Sequence, residues 1–209
     1  ETGAEIAVFR IDATVSEIEI YENSTMEANG YVLIEAPNVT ESTVGEAGEY
    51  WQFLPNIGQR KGVMKAMPDL VTSARENLLD TAKLYYRIYF ESTGRFNGKL
   101  YRIPTLNEGF ESDGSIRTCD LAIGLDNDTP TNLNGNTHWG GTAWDNGIMH
   151  MTEPLDFTIT VQEPGWHVLV IYQVDPSIMF DRIAIETRTG ALGNTLVGPV
   201  ASPNSFLSK

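Results

Sequence analysis

The sequence predicts an all-β protein, a single β-sandwich with a short helix at most. Three observations carry that expectation. The stretch GWHVLVIYQVDPSIMFDRIAI, residues 165–185, holds two runs rich in β-branched and aromatic residues, 166–174 and 180–185. Asp175-Pro176-Ser177 parts them, because proline lacks an N–H and pushes the preceding residue away from helix. Both runs are too apolar for an exposed ribbon, which places them in the middle of packed sheets. Next, residues 83–91 alternate, with Leu84, Tyr86, Ile88 and Phe90 on one face and Tyr85, Arg87 and Tyr89 on the other. Finally, short strand-like runs bounded by Gly, Pro and Asn recur along the chain, and 71–80 is the only helical candidate, a weak one.

Composition narrows the function classes. The 209 residues suit one large all-β domain, and 41% hydrophobic with 20% charged content describes a globular chain able to bury a core. No apolar run reaches the ~18 residues of a membrane span, so no membrane insertion is expected. The formal net charge of −14 argues against nucleic acid, whose backbone demands clustered Lys and Arg. Cys119 is the single cysteine, which excludes an internal disulfide. It shares a face with Leu121, Ile123 and Leu125 and reads as a small buried hydrophobe. Glu1-Thr2-Gly3 resembles the scar of an animal-cell secretion vector and stands outside the fold reasoning, leaving 4–209 as one domain. Asn23-Ser24-Thr25, Asn38-Val39-Thr40 and Asn127-Asp128-Thr129 are glycosylation sequons. An extracellular protein is the expectation.

In chain order, 4–21 reads as two short strands. Residues 31–36 form a strand ended by Pro37, 40–49 an acidic surface loop, 50–54 a strand stopped by Pro55, and 62–68 another strand. Strands at 98–103, 116–125 and 156–162 follow, the last with Phe157, Ile159 and Val161 inward. Between them lie Gly/Asp/Ser-rich 108–115 and the long loop 126–141. Residues 187–209 are a Gly/Pro-punctuated tail. The predicted core is Leu84, Tyr86, Ile88, Cys119, Leu121, Ile123, Ile159, Leu169, Ile171, Ile183 and Ile185.

An ordered set of motifs carries a family resemblance. Tyr50-Trp51 with Leu54-Pro55-Asn56-Ile57-Gly58, then Tyr86-Arg87-Ile88-Tyr89 with Ser92-Thr93-Gly94 and Pro104-Thr105-Leu106-Asn107, resemble elements of one accessory domain. Pro164-Gly165-Trp166-His167, Val174-Asp175-Pro176, Asp181-Arg182-Ile183 and Leu196-Val197-Gly198-Pro199 continue the series. Over about residues 30–206 the chain resembles the C-terminal domain of glycoside hydrolase family 115, the xylan α-glucuronidases. The resemblance implies a jelly roll like those of carbohydrate-binding modules, beside a catalytic domain or in a homodimer. The catalytic carboxylates of such enzymes lie in other domains. Similar modules also use an I-E-A-E run and a late Asp for a structural Ca²⁺. That implies Glu35 and Asp181 as metal ligands, although Pro37 stands where the second Glu would be.

The candidate glycan site is the loop 132–144, because sugars take an aromatic platform plus amides. Trp139 is its candidate stacking residue and Asn134 and Asn136 its polar partners, while the family resemblance, which has a tryptophan where Trp144 falls, implies packing for Trp144. Tyr85 and Tyr89, alternating outward, are a second, flatter candidate platform; the alternative is that they cover the second sheet face. His138, His150 and His167 lack zinc spacing, no phosphate-cradling glycine loop occurs, and no motif sets a nucleophile beside a base. The expectation is a non-catalytic glycan-binding module. The alternatives are a structural or dimerisation domain and a host-facing adhesion domain.

Overall fold

A computed structural model of the chain describes residues 23–69, 77–105, 119–135, 141–193 and 198–203. Two six-stranded sheets pack face to face. The first, sheet A, contains β1 (Thr25–Met26), β3 (Glu41–Thr43), β6 (Lys83–Phe90), β8 (Leu121–Leu125), β9 (Thr131–Leu133) and β11 (Gly165–Gln173). Its order is β1-β6-β11-β8-β9, with β3 also pairing β6. Sheet B contains β2 (Tyr31–Glu35), β4 (Tyr50–Pro55), β5 (Gly62–Met67), β7 (Gly94–Ile103), β10 (Glu153–Val161) and β12 (Met179–Glu186). Its order is β10-β7-β12-β5-β4, with β2 also on β12.

Alternation decides which face of each strand goes inward. Leu84, Tyr86, Ile88 and Phe90 of β6 and Leu169 and Ile171 of β11 meet Leu100, Phe157, Ile159, Phe180, Ile183 and Ile185 of sheet B in one core. Phe180 lies edge-on to Trp51 and Tyr86, with ring centroids 5.7 and 6.5 Å away. Every residue assigned to the core from the sequence is buried, Cys119 included at 3% exposure.

Several expectations needed correction. The two runs of 165–185 are the central strands, but β11 lies in sheet A and β12 in sheet B. The Asp175-Pro176-Ser177 turn, with Ser177 at φ 61°, carries the chain across the sandwich. Residues 142–150, of which 142–144 belong to the expected loop 132–144 and the rest carry no assignment from the sequence, form α1 (Thr142–His150), closed by Met151 in a left-handed conformation. Of the helical candidate 71–80, the described part is a 3₁₀ turn at Leu78–Asp80, and the rest lies outside the described residues. Strand β3 lies within the expected acidic loop, and β9 within the long Asn-rich one. Strand β7 starts at Gly94, earlier than expected. The expected strands in 4–21 lie outside the described residues.

The outer faces of the two sheets are treated differently. On sheet B, Tyr31, Leu33, Tyr101 and Ala184 are covered by Ala191, Leu192 and Ala201 of the C-terminal tail. The tail is fastened by a mutual pair of bonds between Leu33 and Ser202, both 2.9 Å, and by the Tyr31 hydroxyl donating to the Val200 carbonyl at 3.1 Å. On sheet A, the described residues cover one end of the outer face. There Leu78 packs on Ala122, Val170, Tyr172 and Val174.

Candidate functional site

Among the described residues, the outer face of sheet A forms a groove of about 350 Å³. Its floor follows from strand register. Pairs Tyr85–Val170, Arg87–Val168 and Tyr89–Trp166 lie opposite one another on β6 and β11, all on the outward parity. At one end the Lys83 ammonium sits 5.9 Å from the Tyr172 ring centroid. At the other, Tyr89 and Trp166 meet edge to face at 5.2 Å. Tyr85, Arg87, Val168 and Val170 line the groove between these ends. Burial, with the Tyr85 phenol as a near neighbour, pushes the Tyr172 hydroxyl above its usual range.

The walls come from two distant segments. Thr40 and Glu41 form one, Asp126 and Asn127 the other. Thr40 is bolted to β6: its N–H donates to the Tyr85 carbonyl and its Oγ1 accepts from the Arg87 N–H, both at 2.9 Å. Asp126, at φ 51°, is bolted to β11. Its N–H donates to the Val168 carbonyl and its Oδ1 accepts from the Val168 N–H, both at 2.8 Å. Its Oδ2 meets His167 Nδ1 at 2.7 Å, while His167 Nε2 lies 2.9 Å from the Glu163 carbonyl. Both walls are therefore fixed before any ligand arrives. An aromatic ring, valine methyls, a guanidinium, two carboxylates and an amide around one groove match the apolar faces and hydroxyls of a sugar.

The sequence-predicted residues scatter. Tyr85 is in the groove. Tyr89 lies beyond it, paired with Trp166, which sequence reasoning had placed only inside a motif and an apolar run. The outward parity of 166 and 168 was the signal that could have found the β11 half of this face. Asn134 is exposed and lines a shallow surface groove with Asn132, Leu133 and Glu153–Asp156, none of these described residues being aromatic. Trp139 and Asn136 lie outside the described residues; Trp144 is half-buried on α1. Gly135 approaches Arg102 so closely that a Cβ there would lie 2.5 Å from the guanidinium, itself ion-paired to Glu153 at 2.5 Å.

Glu35 and Asp181 come close, since β2 and β12 are paired with Arg182 opposite Glu35. A bulge at Phe180/Arg182 sets Asp181 and Arg182, adjacent in sequence, side by side. Arg182 Nη1 donates to both Asp181 oxygens at 2.9 Å and its guanidinium stacks 3.9 Å over Tyr101. Burial pushes the Asp181 carboxyl up, against the pull of Arg182, the Gln59 N–H and Arg60. Glu35 faces Arg60 at 3.7 Å and Lys61 at 2.7 Å. These surroundings do not fit the Ca²⁺ expected there. Two carboxylates already face three cations, and among the described residues no group of three or more His, Cys, Asp or Glu is arranged to hold a metal.

The two packed sheets define a jelly-roll β-sandwich. The chain belongs to the glycosyl hydrolase family 115 C-terminal domain family, whose model matches residues 25–201. Among solved structures it is similar to a family 115 4-O-methyl-α-glucuronidase with specificity for decorated arabinogalactans. The TM-score is 0.52 at 11% identity, covering 72% of this chain and 18% of that enzyme. It is also similar to the C-terminal family 6 carbohydrate-binding module of a laminarinase from Zobellia galactanivorans (TM-score 0.49, 14% identity, 75% and 98% covered). A family 35 module from Clostridium thermocellum gives a TM-score of 0.48 at 8% identity, with 76% and 98% covered. The curated proteins contain no match. No described helix is long and apolar enough to cross a membrane.

Proposed function

We propose that this chain is a non-catalytic glycan-binding module of an extracellular protein, working beside a catalytic domain, and that its ligand lies in the sheet A groove. One observation carries the reading. Tyr85 and Arg87 stand on a floor whose walls, Thr40 and Asp126, are held by backbone hydrogen bonds, so the site is preorganised. Glu41 and Asp126 outnumber Arg87 in the groove, which favours neutral sugars over uronates. Neutral side chains of arabinogalactan or xylan type are the first ligands to try, given the family.

The test is a glycan array followed by calorimetric titration of the best ligand. Arg87→Ala and Tyr85→Ala should each weaken binding at least about tenfold, the loss of ~1.4 kcal/mol or more. Melting temperatures measured alongside separate lost contact from lost fold. The rival location is the Asn-rich loop. If Trp139→Ala abolishes binding at unchanged melting temperature while the groove variants keep it, the ligand sits on Trp139, Asn134 and Asn136, and the groove reading fails. No binding anywhere on the array favours the structural or dimerisation role, which light scattering would then examine.

A further inference from the structure

Loop 56–61 brings its cations to one place for local reasons. Asn56 and Gly58 both take left-handed backbone, φ 63° and 81°, which turns the chain sharply after β4. Gly58 is needed for space as well: a Cβ there would meet the Asp181 Cβ at 3.0 Å and Ile103 Cδ1 at 3.2 Å. The loop thus lies directly on Asp181, and the Gln59 N–H donates to Asp181 Oδ2 at 3.0 Å. Arg60 and Lys61, the next two residues, consequently fall over Glu35. Arg60 also donates through Nη2 to the Pro199 carbonyl at 2.7 Å. One guanidinium therefore joins β2 and the C-terminal tail, and it lies close enough to Asp181 and Arg182 to act on both charges.

We infer that Arg60, Lys61 and Arg182 perform here the structural task of a divalent cation, tying Glu35 and Asp181 of two paired strands to the tail and making the fold independent of calcium. The charge count supports it. Two carboxylates supply at most four of the six to eight oxygens that calcium takes, and those oxygens already face three cations. A bound Ca²⁺ would have to displace Arg60 and Lys61 and would still face Arg182, which is fully buried and held on both Asp181 oxygens. The three cations are unequal. Lys61, with its side chain 68% exposed, contributes little, whereas Arg60, 12% exposed, makes both the ion pair and the tail bond.

The test is thermal unfolding of the whole chain in EDTA and in millimolar calcium, with calorimetric calcium titration. The midpoint should agree within about 1 °C between the two conditions, with no calcium heat. Glu35→Gln should lower the midpoint equally in both. Arg60→Met should lower it by several degrees and Lys61→Met by much less, with Arg60→Lys between them. A calcium-induced rise of the wild-type midpoint that Glu35→Gln removes would overturn the inference. So would an Arg60→Met midpoint equal to that of the wild type. Should Arg60→Met fail to fold, the wild-type titration alone still decides.

Discussion

Glu27 provides the most demanding test of the fold's polar bookkeeping. The residue is 6% exposed, and its carboxylate accepts four hydrogen bonds. Oε2 takes the N–H groups of Glu91 and Ser92 at 2.9 Å, and Oε1 the hydroxyls of Ser92 and Thr187 at 2.7 and 2.5 Å. It thereby fastens the turn between β6 and β7 to the end of β12. Its own N–H, bonded to the Tyr89 carbonyl at 2.8 Å, ties in the rim of the candidate site. Glu27→Ala orphans two backbone donors, each worth roughly 1–3 kcal/mol when left unpaired. A loss of about 3 kcal/mol follows, or about 6–12 °C in Tm for a chain of this length. Glu27→Gln keeps an oxygen for the two N–H groups and offers its amide to the hydroxyls. It loses only the charge assistance, about 1–2 kcal/mol.

Protonation supplies a second signature of the same residue. Burial raises the Glu27 carboxyl, but the bonds from Thr187, Ser92 and Glu91 outweigh it and hold the pKa below the ordinary 4.5. A carboxyl lowered on folding binds its proton more readily in the unfolded chain. Its stabilisation is complete above that ordinary value and is lost as pH falls through the folded one. Urea unfolding of wild type and Glu27→Gln should therefore show a constant gap near neutral pH that closes under acid. A gap that widens on acidification, or an alanine variant no worse than the glutamine one, would refute the reasoning.

Three further outcomes are expected. Tyr86→Phe should cost about 1–2 kcal/mol in urea unfolding, because the phenol donates to the Ala36 carbonyl at 2.7 Å in the core. Burial pushes that phenol well above its ordinary 10.0, so wild-type stability should fall above that pH, and the phenylalanine variant should lose less. Gly98→Ala should cost about 1–3 kcal/mol, since its Cβ would collide with the Phe157 ring that crosses this glycine. Phe157→Leu should relieve part of that in a double-mutant cycle. The Cys119 thiol should resist a disulfide reagent until the chain unfolds, so its labelling should track urea-induced opening.

The alternating strands were legible in the sequence because alternation is a property of neighbours. Tyr86 and Ile88 pointed inward from the pattern of β6 alone, and Phe157, Ile159 and Val161 from that of β10. Short elements were not legible. Strands of three residues such as β3 and β9 carry no period to detect. Helix α1 contains Gly147, begins at Gly141 without a side-chain cap, and so lacks the usual start signals. The site was half legible. Tyr85 and Tyr89 were marked by outward parity, but Thr40 and Asp126 had no reason in their own neighbourhoods to become walls.

By itself, the sequence determined the sandwich class, the inward face of its clear strands and, through an ordered set of motifs, the family. Tertiary structure alone decided three matters. It sent β11 and β12 to opposite sheets, because a turn such as Asp175-Pro176-Ser177 serves a crossover as well as a hairpin. It laid Ala191, Leu192 and Ala201 on sheet B while, among the described residues, Leu78 packs on the outer cluster of sheet A. And it brought Arg60 and Lys61 onto Glu35, where they form ion pairs. Each depends on which distant segments meet. Register between strands is set by the packing of the whole core, and no local pattern of residues records it.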